Sequence, residues 1–310
     1  MIASSQPEPE QVSRKMSPDQ IAKLLVQHGV KDITDQVDLQ RMSCQPFASG
    51  GFGSVYRSQL RDGSLVAIKR LVIRNWDDSE CIGKCRKHAA HELYTWSKCN
   101  HPGVLEVLGF ALSEGSILLI SPWMQNGSLT THLMSYSTCD RLQFCIDLAS
   151  TVEYLHGEGI VHGDIKGDNV ILSETGGIRL GDFGSATLAS YLTLCFTRTS
   201  SQLPFTFRFA APEILHETSE THTVKSDVYS LGMQILTGTP PYAGMSDMKA
   251  LIKALGNIPP PRPMFDGILQ NQRASDSLWS LLLRCWDHDP NLRPTAREVK
   301  QVVSVLEFLN

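Results

Sequence analysis

The strongest constraint in this chain is an acid, an amide and a second acid spaced across residues 162–184. His162-Gly163-Asp164-Ile165-Lys166-Gly167-Asp168-Asn169 sets Asp164 five positions ahead of Asn169. Two β-like apolar runs follow, Val170-Ile171-Leu172 and Ile178-Arg179-Leu180, with Glu174-Thr175-Gly176-Gly177 as the turn between them. They lead directly into Asp182-Phe183-Gly184. A short hairpin of this kind gathers the three polar side chains. Together they can hold metal-bound phosphate beside a hydroxyl nucleophile, which is the requirement of phosphoryl transfer.

Size and composition allow a fold large enough for such a site. A chain of 310 residues suits two ordinary domains or one bilobal unit. Apolar residues make up 42% and charged ones 19%, a balance that builds a core. Net charge is −4, and Lys and Arg are scattered without a stripe, which argues against nucleic acid or an anionic membrane as partner. No apolar run approaches the about 20 residues of a membrane helix, so no membrane span is expected. The first residues, Met1-Ile2-Ala3-Ser4-Ser5, do not resemble a signal peptide. The eight cysteines are therefore read as thiols in a reducing, cytoplasmic compartment.

Residues 1–16 are rich in Ser, Pro, Glu and Gln and are expected to be a disordered tail. Residues 17–41 form an N-terminal helical extension. Ser17-Pro18-Asp19 supplies its N-cap, Ile21, Leu24 and Leu25 an apolar face, and Gly29 a stop. The helix either packs on the main domain or docks a partner through residues 17–29. The main domain spans 42–310, with a small β-rich half over about 42–121 and a helical half over about 126–310. Strands are expected within 46–58, at 65–69, 104–110 and 117–120. Helices are expected at 85–99, 141–156, 228–237, 276–286 and 295–309, the last opening on a Thr295-to-Glu298 capping box. This is an α+β, two-lobed plan.

Ala48-Ser49-Gly50-Gly51-Phe52-Gly53-Ser54-Val55 is a glycine-rich turn whose backbone N–H groups could approach phosphate oxygens. On the next predicted strand, Lys69 lies in Val66-Ala67-Ile68-Lys69. A lysine in an apolar strand needs an anion, and nucleotide phosphate and Glu92 are the candidates.

From about Phe47 to Leu306 the chain resembles the eukaryotic protein kinase family. The motifs are those above together with Ala211-Pro212-Glu213, Asp227-Val228-Tyr229-Ser230-Leu231-Gly232 and Arg293. The resemblance implies a two-lobed fold, with an antiparallel β N-lobe carrying helix C and a mainly helical C-lobe. It also implies ATP and Mg2+ as cofactors and protein substrates as partners. On it, Gly50, Gly51 and Gly53 cover the phosphates, and Lys69 holds them while pairing with Glu92. Asp164 accepts or orients the substrate hydroxyl proton, Lys166 steadies the γ-phosphate, and Asn169 with Asp182 binds magnesium. Val55, Ala67 and Ile171 sandwich the adenine, Ser121 is the gatekeeper, and Met124 donates from the hinge. Arg293 pairs with Glu213. Lys166 and Thr206 match the Ser/Thr type of catalytic loop. Asn126-Gly127-Ser128-Leu129 and Cys285-Trp286 resemble the tyrosine-kinase-like branch, and the His-Gly-Asp wording resembles kinases of mushroom-forming fungi.

The implied activity is ATP-dependent phosphorylation of Ser/Thr hydroxyls, with dual specificity open. Two alternatives stand beside it: a pseudokinase scaffold that binds nucleotide without efficient catalysis, and a small-molecule phosphotransferase. Against the scaffold, Lys69, Glu92, Asp164, Asn169 and Asp182 are all present. Against the small-molecule enzyme stands Ala211-Pro212-Glu213. The chain departs from the family pattern at Ala48, Phe205 and, above all, Gly163, where the family carries the arginine that receives an activation-loop phosphate. Thr187, Ser190, Thr193, Thr197, Thr199, Ser200 and Ser201 offer hydroxyls in that loop, yet Gly163 cannot bind a phosphate on them.

Overall fold

The computed structural model describes residues 10–50, 53–73, 77–135, 140–188, 194–196, 207–216, 219, 221–234, 240–263, 265, 269 and 271–308. In chain order the first elements are β1 (Glu10–Val12), α1 (Pro18–Gln27), β2 (Val37–Asp38), β3 (Ala48–Ser49), β4 (Gly53–Leu60) and β5 (Leu65–Leu71). Next come α2 (Ser79–Ser97), β6 (Gly109–Ser113), β7 (Ser116–Pro122), α3 (Leu129–Ser135), α4 (Arg141–Gly157) and β8 (Ile160–Val161). Then follow β9 (Val170–Leu172), β10 (Ile178–Leu180), β11 (Thr187–Leu188), β12 (Leu194–Phe196) and α5 (Pro212–Leu215). The last are α6 (Val224–Gln234), α7 (Asp247–Leu255), α8 (Gln272–Cys285) and α9 (Ala296–Phe308). The chain divides into two compact units, one of residues 1–99, 106–123 and 188–204, the other of 100–105, 124–187 and 205–310. The fold is the α+β one expected, with an antiparallel sheet in the first unit and mainly helices in the second.

In the first unit the strands run in the order β2-β4-β5-β7-β6, with β3 paired to β4. Alternation along β5 sorts its side chains. Val66 and Ile68 are fully buried on one face, in a cluster with Ile33, Val37, Ala111, Leu118 and Ile120, while Ala67 and Lys69 take the other. Residues from the N-terminal segment thus complete the core of the sheet. Ser17 caps α1 through a reciprocal pair, accepting from the Gln20 N–H at 3.2 Å and donating its own N–H to Gln20 Oε1 at 2.8 Å. Ile21 and Leu25 are fully buried, and α1 packs on α2. The His28 ring meets Tyr94 edge-on, and Lys98 Nζ donates to the His28 carbonyl. Arg14 approaches α2 so closely that a Cβ at Gly83 would collide with its carbonyl oxygen. Of the apolar residues of α1, Ile21, Ala22 and Leu25 are buried and Val26 is exposed.

Several elements differ from the sequence reading. Residues 10–12, inside the expected tail, form β1 and pair in parallel with β12, Gln11 opposite Cys195. Residues 1–9 lie outside the described structure. α2 begins at Ser79, six residues before the expected start, because Asp78 caps it by accepting from the Glu80 N–H at 2.8 Å. The strand expected at 104–110 is displaced to Gly109–Ser113. Val104 and Leu105 instead bond backbone partners at His101 and Leu180.

In the second unit α4 packs along α9, and α6 lies against α8. β9 and β10 form the anticipated hairpin, Ile171 opposite Arg179. Among the described residues no helix is long and apolar enough to cross a membrane.

Candidate functional site

The catalytic-loop residues are held by their backbone before their side chains are considered. Asp227, 1% exposed near the start of α6, accepts from the N–H groups of His162 and Gly163, both at 2.8 Å, and faces His156 Nε2 at 3.0 Å. Burial alone would raise the pKa of this carboxyl. The His156 hydrogen bond and charge, His162 and the Gly163 N–H outweigh it and hold Asp227 below the ordinary carboxylate range. His162 is buried, its ring edge-on to Phe183 at 5.1 Å and its Nε2 3.1 Å from the Gly181 carbonyl.

Asp164 follows on this frame. Its Oδ2 receives Lys166 Nζ at 2.7 Å and Asn169 Nδ2 at 3.0 Å, and the same Nδ2 donates to the Asp164 carbonyl at 2.8 Å. Both Asn169 bonds use the amide nitrogen, so its Oδ1 is the atom turned to other duties. Gly181 donates its N–H to the Asn169 carbonyl at 2.9 Å, which ties Asn169 to the residue before Asp182. Asp182 itself has φ +62°, a left-handed backbone for a residue with a Cβ, and accepts from the Gly184 N–H at 3.3 Å. The second unit therefore gathers Asp164, Lys166, Asn169 and Asp182 in one set. A carboxylate and an amide carbonyl are hard oxygen donors suited to Mg2+, which keeps waters and phosphate oxygens for the rest of its shell. Among the described residues there is no group of three His, Cys, Asp or Glu that could hold a metal ion.

The first unit holds the other set. Lys69 Nζ lies 2.6 Å from Glu92 Oε1, with the two side chains 13% and 2% exposed. Pairing places Val55 opposite Lys69, and Ala67 opposite Ser121, which is buried on β7. The glycine-rich turn closes through a bond from the Gly50 N–H to the Gly53 carbonyl at 2.9 Å. Gly51 lies outside the described residues. Ile171, on β9, and Met124 belong to the second unit, and the Met124 carbonyl accepts from Gly127 at 3.4 Å.

Arg293 meets Glu213 through two bonds, at 2.6 and 2.7 Å, the forked geometry of a strong carboxylate pair. It also donates to the carbonyls of Asp287 and Lys225, and its guanidinium lies 5.1 Å from the Tyr229 ring centre. Phe205, Thr206 and the loop hydroxyls other than Thr187 fall outside the described residues. Sequence reasoning took Asp227 only as the opening of a helix. Its role as acceptor for three donors had no local signal beyond an acid in an apolar run. His156 was missed for the same reason.

One unit thus carries a buried lysine–glutamate pair beside a strand that follows a glycine-rich turn, and the other an aspartate–lysine–asparagine loop. Residues 45–303 match the family model of the protein kinase domain, and the chain belongs to the protein kinase family. It is 29% identical over 282 residues to the cytokinesis protein sepH of Aspergillus terreus, covering 89% of this chain and 19% of that protein. It is 29% identical over 269 residues to mitogen-activated protein kinase kinase kinase 2 of Arabidopsis thaliana, covering 82% and 39%. With the serine/threonine/tyrosine-protein kinase HT1 of the same plant the identity is 28% over 270 residues, covering 84% and 64%. The chain thus spans about a fifth of the length of the sepH protein.

Proposed function

We propose that this chain is an active protein kinase that transfers the γ-phosphate of ATP to Ser or Thr hydroxyls of protein substrates. The observation that carries this reading is the Asp164 carboxylate, held through one oxygen by Lys166 and Asn169. That grip leaves Oδ1 as the oxygen to meet a substrate hydroxyl and orient its proton. Lys166, beside that carboxylate, would bring its charge to the γ-phosphate. Lys69, steadied by Glu92, would hold the inner phosphates, and Gly50, Gly51 and Gly53 would cover them. Asn169 and Asp182 would hold Mg2+, which when bound neutralises charge on the phosphates. Val55, Ala67 and Ile171 would contact the adenine, with Ser121 and Met124 at the gatekeeper and hinge.

Retention of both polar sets supports the active reading over a pseudokinase scaffold, which usually loses at least one of these residues. Ala211-Pro212-Glu213, with its acid held by Arg293, favours a protein substrate over a small molecule. The domain reading follows: residues 42–310 form the kinase domain and 17–41 an extension of it. Cys44, Cys81 and Cys285 carry thiols, which suits a cytoplasmic location.

The test is Mg2+-dependent phosphate transfer from ATP to a generic protein substrate, followed by phosphoamino-acid analysis. Asp164→Asn should lose ~10²–10⁴ in rate while ATP still binds. Equal rates in wild type and variant would establish the scaffold reading instead.

A further inference from the structure

Gly163 stands where its family carries a long cationic side chain, and the structure shows what takes that space. The residue has φ +78°, a conformation that suits glycine. A Cβ built on it would lie 2.8 Å from the Ser185 carbonyl oxygen, 2.9 Å from Cδ2 of His222 and 3.0 Å from its Cγ. The imidazole of His222 therefore rests directly on the Gly163 backbone, having come from the stretch just before α6. His222 is 8% exposed, and its Nε2 is buried without a hydrogen-bond partner among the described residues. A buried nitrogen left unpaired costs stability, so a phenyl ring, slightly larger but without that nitrogen, would be the cheaper filler.

The charged groups facing this ring come from every side of the loop. Asp227 lies below Gly163 on α6, Asp164 and His162 lie on the loop itself, and Glu213 follows from α5. Burial is the main influence on the ring and favours its neutral form, with the three carboxylates opposing. A neutral ring packs against a peptide without drawing the carboxylate of Asp164 toward it. Gly163 is thus gripped on three sides, by the Asp227 carboxylate at its N–H, the Ser185 carbonyl and the His222 ring.

We infer that His222 is a positioning residue of the catalytic loop, filling from a separate element the volume opened by Gly163 and so fixing the Gly163–Asp164 peptide. This rests on the kinase reading above for its consequence in catalysis, though not for its effect on the loop. Removal of the ring lets the peptide shift, and a misplaced Asp164 slows the chemical step without changing how ATP is bound.

The experiment compares His222→Ala and His222→Phe in the full chain, by steady-state kinetics and by hydrogen exchange at residues 162–166. His222→Ala should lower kcat by ~10–10²-fold and leave KM for ATP within about two-fold. Loop amides should exchange faster in that variant. His222→Phe should restore most of the kcat and the slow exchange, and should raise Tm because the unpaired nitrogen is gone. Unchanged kcat and exchange in His222→Ala would overturn the inference, and so would a Phe variant as impaired as Ala. If wild type transfers no phosphate, the kinase reading fails, and the exchange data alone then decide the positioning role.

Discussion

Glu92 reaches Lys69 from α2, a helix that packs on α1 with its buried Ile21 and Leu25. Asp164 sits in a loop whose backbone hangs on one buried carboxylate, Asp227. The first arrangement is apolar packing that aims an ion pair. The second is a polar network in which three donors converge on two oxygens. Packing fails by cavities, and such networks fail by a lost charge. The two halves of the machinery should therefore break under different perturbations.

The largest effect is expected from Asp227→Ala. It strands the His162 and Gly163 amides and His156 in a buried place, and should cost about 3–5 kcal/mol by urea denaturation. Exchange should rise in residues 162–164 and stay unchanged in α2. Equal loosening of both would erase the distinction. Leu25→Ala comes next. Its cavity should cost about 2–5 kcal/mol and loosen α2, with the catalytic-loop amides still protected.

Acid separates the regions more gently. His91 on α2 is held down to about 4 by burial, with His88 and Lys87 adding repulsion. Its neutral form is favoured by folding, so its contribution is complete above the unfolded value of about 6.5 and is lost as pH falls toward 4. Asp227 contributes above the ordinary value of about 3.9, and that share is lost only as pH falls through its lowered folded value. Exchange followed from pH 7 to 4 should show α2 loosening, whereas residues 162–164 keep the Asp227 share and lose only what protonation of the buried His222 ring removes, a loss that His222→Phe abolishes. The smallest change is Arg14→Ala. Its pair with Glu80 at 2.8 Å is exposed, and its loss should cost under about 1 kcal/mol in thermal unfolding.

The sequence disclosed what is local and ordered. The loop from His162 to Asn169, the hairpin into Asp182, the Lys69 strand and the α1 cap each carry their signal within a few residues, and each sits where it was expected. Contacts made at long range left no such mark. The pairing of β1 with β12 joins short strands some 180 residues apart, as Gln11 and Cys195 show, and parallel pairing needs no turn that could be recognised. The early start of α2 was legible in Asp78-Ser79-Glu80, an N-cap followed by an acid, but the polar composition around it looked like loop. Gly163 reads as the loss of a phosphate reader, an expectation drawn from the family resemblance. That a ring from His222 lies on it could not be read from either residue alone.

Asp182 has one more consequence. A left-handed backbone at a residue with a Cβ costs roughly 1–2 kcal/mol relative to glycine, so this turn is a loaded spring held shut by its neighbours. The most comfortable residue at that corner is one with no carboxylate at all. The chain keeps the acid, and with it a small permanent debt of folding free energy placed at the point where a cation would be caught. Selection for heat resistance alone would drift toward glycine there and give up the carboxylate.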